Sequence, residues 1–343
     1  MKAIIYTEPK QTRLVTDRPL PKLRENTVIV KVAAVALNPT DWKHVHFGMA
    51  KEGCILGVDY AGTVEQSNSP EWQKGDRICG FVHGGNSVNP DDGSFAEYIV
   101  APLSTAMRMP EGVSMEAAST LGCGITTVGQ GLFEVGYGLG LNTPSDPIQN
   151  AEPLLIYGGS SATGSLGIQL AKEAGYSVLT TCSPKNFEMV RARGVTEAFD
   201  SNDPEVGKKI NAYTKNSLRF AWDCIGTESA AQACADALTT NPGARFGTIR
   251  GPKLPRDDVK YTATMAYVGI GEDFEKGGKW TRGNGEHARW QYKVWKIAHD
   301  LLAAGKLQVH PIRIGNGGLE GVLNGLKELE AGTVSGEKLV YVF

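Results

Sequence analysis

Residues 154–176 of the chain read LLIYGGSSATGSLGIQLAKEAGY. Leu154–Tyr157 is an apolar run short enough for a buried strand, and Thr163–Glu173 has helical composition. Between them stand Gly158, Gly159, Ser160, Ser161, Ala162, Thr163 and Gly164. A strand that ends in a glycine-rich turn and opens a helix is how a βαβ unit begins. Read from Gly159, the turn follows the G-x-G-x-x-G dinucleotide pattern, with Ser161 at the second glycine position. That glycine normally lets the backbone approach a pyrophosphate. A serine there must stand further off or offer its hydroxyl as a donor. The helix N-terminus still presents free N–H groups and a positive dipole end to a phosphate.

The pattern continues beyond the turn. Ser177–Thr181, Glu197–Phe199, Arg219–Cys224 and Phe246–Ile249 read as strands. Asn186–Arg193, Pro204–Tyr213 and Ser229–Leu238 read as the helices between them. This alternation predicts a parallel sheet with helices on both faces and right-handed crossovers.

The second strand bears on the choice of cofactor. A carboxylate ~20 residues past the turn would bind a ribose 2′-hydroxyl. Here the strand ends in Thr180-Thr181-Cys182-Ser183-Pro184-Lys185-Asn186, which has no acid. Ser183, Lys185 and Asn186 offer a hydroxyl, a cation and an amide, a set that suits a 2′-phosphate. The expectation is NADPH over NADH. The plainer reading of Lys185 is a solvated lysine at a helix start.

The first 110 residues carry a different signal. Lys2–Tyr6, Val28–Val35, Val58–Glu65, Arg77–Val82 and Phe95–Ala101 are apolar or β-branched runs. Pro19, Pro21, Asn38-Pro39, Gly75-Asp76, Gly84-Gly85 and Asp92-Gly93 punctuate them. No helical period is evident, so a small folded or closed β domain is expected. On a strand, His44 and His46 would share one face beside Asp41. No nearby cysteine or glutamate completes a ligand set, so metal binding is discounted.

Ser114 is a candidate helix N-cap, and Thr126–Val135 reads as a helix. A loop rich in Gly, Pro and Asn follows over Gly138–Glu152. In the tail, Glu286–Ala304 places Trp290, Val294, Ile297 and Leu301 on one helical stripe. Leu307–Ile314 reads as a strand, Leu319–Ala331 as a helix and Lys338–Phe343 as a strand able to return to the first β domain.

Composition narrows the class of protein. The 343 residues include 42 glycines, about one in eight, against a usual ~7%. The formal net charge is −2, with no run of five like charges, so a nucleic-acid surface is not expected. The six cysteines form no C-x-x-C pair. The N-terminus lacks an apolar leader, and Ala117–Phe133 is too rich in Gly, Ser and Thr for a membrane span. A cytoplasmic protein without membrane contact is expected. Hydrolase motifs of the G-x-S-x-G and H-E-x-x-H kinds are absent.

Asn38-Pro39-Thr40-Asp41, Gly57-Val58-Asp59-Tyr60-Ala61-Gly62 and Gly75-Asp76-Arg77 resemble landmarks of the medium-chain dehydrogenase/reductase superfamily. The likeness covers nearly the whole chain. Zinc-dependent members carry G-H-E where this chain has Gly57-Val58-Asp59, and their four-cysteine lobe is missing, so the chain resembles the zinc-free reductases. Tyr157–Thr163, Thr181–Phe187, Tyr213–Asn216, Asp223–Ile225 and Ser335–Val340 are similar to stand-alone enoyl reductases that act in trans with fungal highly reducing polyketide synthases.

That resemblance implies an α/β protein with a GroES-like domain at 1–124 and 289–343 and a Rossmann domain at 125–288. It implies that Ser160, Ser161, Ala162 and Thr163 hold the NADPH pyrophosphate. Ser183, Pro184, Lys185, Asn186 and Tyr213 would hold the 2′-phosphate end. Thr40, Asp41, Trp42 and Lys43 would lie near the nicotinamide and its ribose, and Ile249, Val334 and Ser335 would line the cofactor. Thr127, Tyr267, Val268 and Gly269 would meet the substrate, and Lys43 and Thr127 would be catalytic. Lys43 would hold the developing enolate oxygen or order the cofactor.

The implied reaction is NADPH-dependent reduction of the double bond of a carrier-protein-bound polyketide, by a monomer partnered with a synthase. The alternatives are a zinc-independent NADPH quinone or enone reductase acting on free small molecules, and a non-catalytic NADPH-binding protein.

Overall fold

The computed structural model describes residues 1–343 and divides them into two compact units. Unit 1 comprises Met1–Thr126, Ala266–Ala303 and Val309–Phe343, and unit 2 comprises Thr127–Met265 and Ala304–Gln308.

Unit 1 is built on a seven-stranded sheet. Its hub is the strand Thr27–Ala36, whose pattern TVIVKVAAVA is buried along almost all its length. Asp59–Ser67, Tyr98–Pro102 and the C-terminal strand Lys338–Val342 all pair with it antiparallel. The register Val340↔Ala36 closes the chain's end onto its beginning, as the apolar tail foreshadows. Ile4, Val30, Ile78, Phe95 and Tyr341 form one core, and helix Gly318–Glu330 covers it with Leu319, Val322 and Leu326. Three such buried side chains contribute roughly 1.5–3 kcal/mol each.

One stretch read as β-rich is helical. Pro39–His46 forms an α-helix. Asn38 precedes it, Pro39 takes the first position, and the Asp41 carboxylate accepts the Asn38 N–H at 2.7 Å. These signals outweigh the missing apolar period, because the helix is only two turns long. Two helical residues apart means about 200°, so His44 and His46 face opposite ways rather than sharing a face. His44 is buried, whereas His46 pairs with Glu330.

Unit 2 is a six-stranded, all-parallel sheet. Its spatial order is Glu197–Asp200, Ser177–Cys182, Pro153–Tyr157, Phe220–Asp223, Arg245–Thr248, Lys260–Ala263. Numbered within the unit, that is 3-2-1-4-5-6, the order of a doubly wound dinucleotide fold. Leu155, Leu179, Ala221 and Phe246 pack with Ile210 and Cys234 on one face. The strand direction reverses its winding between Pro153–Tyr157 and Phe220–Asp223, where such folds place their ligand.

The chain re-enters unit 1 at Ala266, ahead of the expected boundary at residue 289. The reason is local packing. Phe274 meets His83 at 5.0 Å between centroids, and the Gly277 N–H bonds Met49 O at 3.1 Å, so the hairpin Phe274–Thr281 belongs to unit 1. The helix expected at Thr126–Val135 starts earlier, as Gly122–Val128, and runs on as a π-turn over Gly129–Phe133. The strand expected at Leu307–Ile314 is confined to Ile312–Ile314. No helix is long and apolar enough to cross a membrane.

Candidate active site

The glycine-rich turn sits at the carboxyl end of the central strand of unit 2. Gly158 takes φ +84°, which a side chain rarely adopts. Its N–H bonds Thr181 Oγ1 at 3.1 Å, and the Gly159 N–H bonds Thr181 O at 3.0 Å. A Cβ on Gly159 would stand 2.1 Å from Thr180 Oγ1, and one on Gly164 would stand 2.4 Å from Gly158 O. The turn is therefore clamped against the second strand and packed tightly against its own helix.

Ser161 is the N-cap of helix Ala162–Glu173. Its Oγ accepts the Gly164 N–H at 3.0 Å and donates to Gly158 O at 2.8 Å. The hydroxyl thus serves the turn itself. The amides of Ser160, Ala162 and Thr163 have no acceptor within the chain. Three open N–H groups at the positive end of a twelve-residue helix form an anion cradle, and a pyrophosphate fits it.

Other expected nucleotide residues share this edge. Ser183 leads into the short turn Pro184–Asn186 directly after strand Ser177–Cys182, with Lys185 exposed. Tyr213 is half exposed and meets the Phe199 ring edge-on at 5.6 Å; Phe199 is in register with Thr181. The Ile249 N–H bonds Asp223 O at 3.1 Å just beyond strand Arg245–Thr248. A carboxylate does stand nearby, on the third strand rather than the second. Asp200 is in register with Cys182, and its Oδ1 accepts the N and Nδ2 of Asn202, both at 2.9 Å.

Unit 1 gathers a second set. Thr40 Oγ1 lies 2.7 Å from Tyr267 Oη, which joins the Pro39–His46 helix to the turn Ala266–Ile270. Tyr267 is buried, and the His83 ring stacks on it at 4.0 Å and 25°. Burial holds the Tyr267 phenol well above its usual range, so it stays protonated. The His44 Nδ1 donates to Thr40 O at 2.7 Å, because a carbonyl can only accept. Burial drives His44 down to about 3 and lowers His83 strongly, so both are neutral at pH 7.

Two lysines belong to this set. Lys43 lies over the Trp42 ring at 5.5 Å. Lys276 Nζ lies 4.1 Å from the Tyr267 ring centroid. Asp41 is buried, with Oδ2 taken by Asn38 N–H, and burial raises its carboxyl well above the ordinary range.

The remaining expected residues are more scattered. Val268 and Gly269 share the Tyr267 turn, and Gly269 packs against Gln291. Val334 packs onto the unit 1 core, while Ser335 is exposed in the loop before the last strand. Thr127 opens unit 2 and is buried on helix Gly122–Val128. His83 and Lys276 were not anticipated, because neither sits in a motif. The only local hint for Lys276 was the Gly277-Gly278 hairpin turn that follows it.

Two family models match the chain: an alcohol dehydrogenase GroES-like domain over residues 24–111 and a zinc-binding dehydrogenase over residues 162–249. Among solved structures, an alcohol dehydrogenase superfamily protein from Novosphingobium aromaticivorans aligns at TM-score 0.81 and 19% identity, covering 100% of this chain and 99% of its own. The CurK enoyl reductase aligns at 0.75 and 19%, covering 99% and 98%. These likenesses show the fold. Sequence relatives are much nearer. The trans-enoyl reductase resD of Aspergillus sclerotiorum is 44% identical with 99% of each chain covered. The trans-enoyl reductase TOXD of Cochliobolus carbonum is 44% identical over 80% of this chain and 91% of its own. The chain therefore belongs to the trans-enoyl reductases of the medium-chain dehydrogenase/reductase superfamily.

Proposed function

We propose that the protein is an NADPH-dependent enoyl reductase that acts in trans on a polyketide intermediate held by the carrier protein of a synthase. The observation that carries the nucleotide half of this reading is the cradle of open amides at Ser160, Ala162 and Thr163. The reaction class is supported by whole-chain identity to relatives named for it. NADPH is favoured over NADH by exposed Lys185 and by the occupied carboxylate of Asp200.

In this reading Ser160–Thr163 hold the pyrophosphate, and Ser183–Asn186 with Tyr213 hold the 2′-phosphate end. Thr40, Trp42 and Lys43 attend the nicotinamide and its ribose, with Asp41 fixing their helix. Ile249, Val334 and Ser335 line the cofactor. Thr127, Tyr267, Val268 and Gly269 bound the acyl chain. A reduced nicotinamide, when bound, supplies the hydride for the β-carbon. The oxygen of the thioester then takes on negative charge, and the Lys43 ammonium stabilises it.

A metal-free reaction is part of this reading, because Val58 stands where zinc-dependent members carry a histidine ligand. The protein works as a monomer in the cytoplasm in this reading. The test follows NADPH oxidation with a carrier-bound enoyl thioester, a short enoyl-CoA and a quinone. Fastest turnover of the carrier-bound substrate supports the reading. Preference for the quinone replaces it with a small-molecule reductase, and NADPH binding without turnover replaces it with a non-catalytic role.

A further inference from the structure

The buried set around Tyr267 contains more polar groups than it satisfies. Both ring nitrogens of His83 and Nε2 of His44 are buried without a hydrogen-bond partner. With Nδ1–H committed to Thr40 O, the His44 Nε2 is a bare acceptor. Buried polar atoms left unpaired mark places where a ligand or ordered water completes the bonding. Beside them, Lys276 has no carboxylate in ion-pair contact, and its ammonium rests on the Tyr267 ring.

The backbone that carries Lys276 is fixed on both sides. It ends the strand Phe274–Lys276, which Gly277 and Gly278 turn back at φ +57° and +77° into Lys279–Thr281. Phe274 is buried, Glu275 pairs with Lys51 at 2.7 Å, and the Gly277 N–H is bound to Met49 O. Presenting a lysine from a fixed backbone suits a defined chemical task.

We propose that Lys276 is the acid of the reaction: its ammonium faces the unsaturated thioester and delivers the proton to the α-carbon. This rests on the enoyl-reductase reading. Hydride adds to the β-carbon, and the π pair of the double bond shifts toward the carbonyl, leaving an enolate. The enolate carbon takes a proton from Nζ, the N–H pair stays on nitrogen, and the carbonyl re-forms. The neutral amine regains its proton from water. The product is the saturated thioester, and one hydride and one proton have been consumed.

The electrostatics agree with this assignment. Burial lowers Lys276 to about 8, with the Cys123 side chain opposing the shift, the Lys43 charge adding to it and Asp41 opposing it. A pKa near the working pH suits a proton donor. The titratable groups around it are Lys43, Asp41 and His44 on the helix, with His83, Tyr267 and Cys123 from the neighbouring elements, and Asp59 beyond them held by Lys338. His44 and His83 stay neutral and Tyr267 stays protonated across the range in question.

The experiment compares wild type, Lys276→Met and Lys276→Arg with a carrier-bound enoyl thioester from pH 6 to 10. Wild-type kcat should fall above about pH 8. Lys276→Met should lose roughly 100-fold in kcat with little change in KM, and its profile should be flat there. Lys276→Arg keeps the charge but cannot release a proton, so it should also be slow and flat. Independently of turnover, the side-chain signal in [15N]lysine-labelled wild type that disappears in Lys276→Arg should titrate near 8. It should move upward in Lys43→Met. Full activity in either Lys276 variant with the basic limb unchanged overturns the proposal, as does a Lys276 signal that titrates above 10. Wild type that binds NADPH but reduces no enoyl thioester overturns the underlying reading, and the proposal with it.

Discussion

Lys338 Nζ lies 2.5 Å from Asp59 Oδ2, and both side chains are buried. The same ammonium donates to Thr120 O at 2.9 Å, while Asp59 Oδ1 accepts the Cys123 N–H at 2.5 Å. Two of the sequence landmarks, Gly57–Gly62 and Ser335–Val340, meet through this one ion pair. It ties the start of the last strand and the start of helix Gly122–Val128 to the first residue of strand Asp59–Ser67. It also fixes Cys123 beside the Lys276 set.

Removing one member should leave an uncompensated buried charge. Lys338→Met is expected to destabilise the fold by about 3–5 kcal/mol, and Asp59→Asn by a similar amount. The double variant should cost clearly less than the two losses added together. Urea unfolding of the four proteins measures this. Strict additivity would show that the pair does not act as a unit.

The Ser161 hydroxyl is engaged in its own turn, which separates two kinds of effect. Ser161→Ala should cost roughly 1 kcal/mol of stability, and Ser161→Gly only a few tenths. Neither should abolish NADPH binding, because the open amides remain. Gly159→Ala should abolish it, since the added Cβ meets Thr180 Oγ1. Thermal unfolding and cofactor titration by fluorescence read the two effects separately.

Lys185 should act on cofactor choice alone. Lys185→Ala is expected to raise KM for NADPH about tenfold while leaving KM for NADH unchanged, the loss of one charge-assisted contact to phosphate. Equal changes for both cofactors would remove Lys185 from the 2′-phosphate site.

The buried imidazoles should make the fold acid-sensitive. His44 is lowered to about 3 from an unfolded value of 6.5, so the unfolded chain binds more protons between those values. Stability from this group is complete above pH 6.5 and is lost as pH falls towards 3. His83 acts in the same direction. The stability difference between pH 7 and pH 4.5 should therefore shrink in His44→Gln. An unchanged difference would mean that His44 does not titrate as described.

What could be read from sequence was local. The Gly158–Gly164 turn needs only its neighbours, and the βαβ rhythm after it specifies the parallel sheet. The apolar strand at the C-terminus suggested its return to the hub. The helix at Pro39–His46 was missed although its start signals, Asn38, Pro39 and Asp41, were present, because two turns are too short to show a period. The Tyr267 set was only partly legible. It draws on residues 40, 44, 83, 267 and 276, and no spacing rule links side chains that a sheet brings together. Asp59 and Lys338 are 279 residues apart, so their pairing is a property of topology alone.

The central claim is hydride transfer from NADPH to an enoyl thioester on a carrier protein. It is tested most directly with NADPH deuterated at C4 and mass analysis of the carrier-bound product. The expected result is a saturated acyl chain carrying one deuterium at the β-carbon, formed only when the protein is present. A carrier-bound enoyl group left unreduced, while a free quinone is reduced by the same protein, would contradict the account.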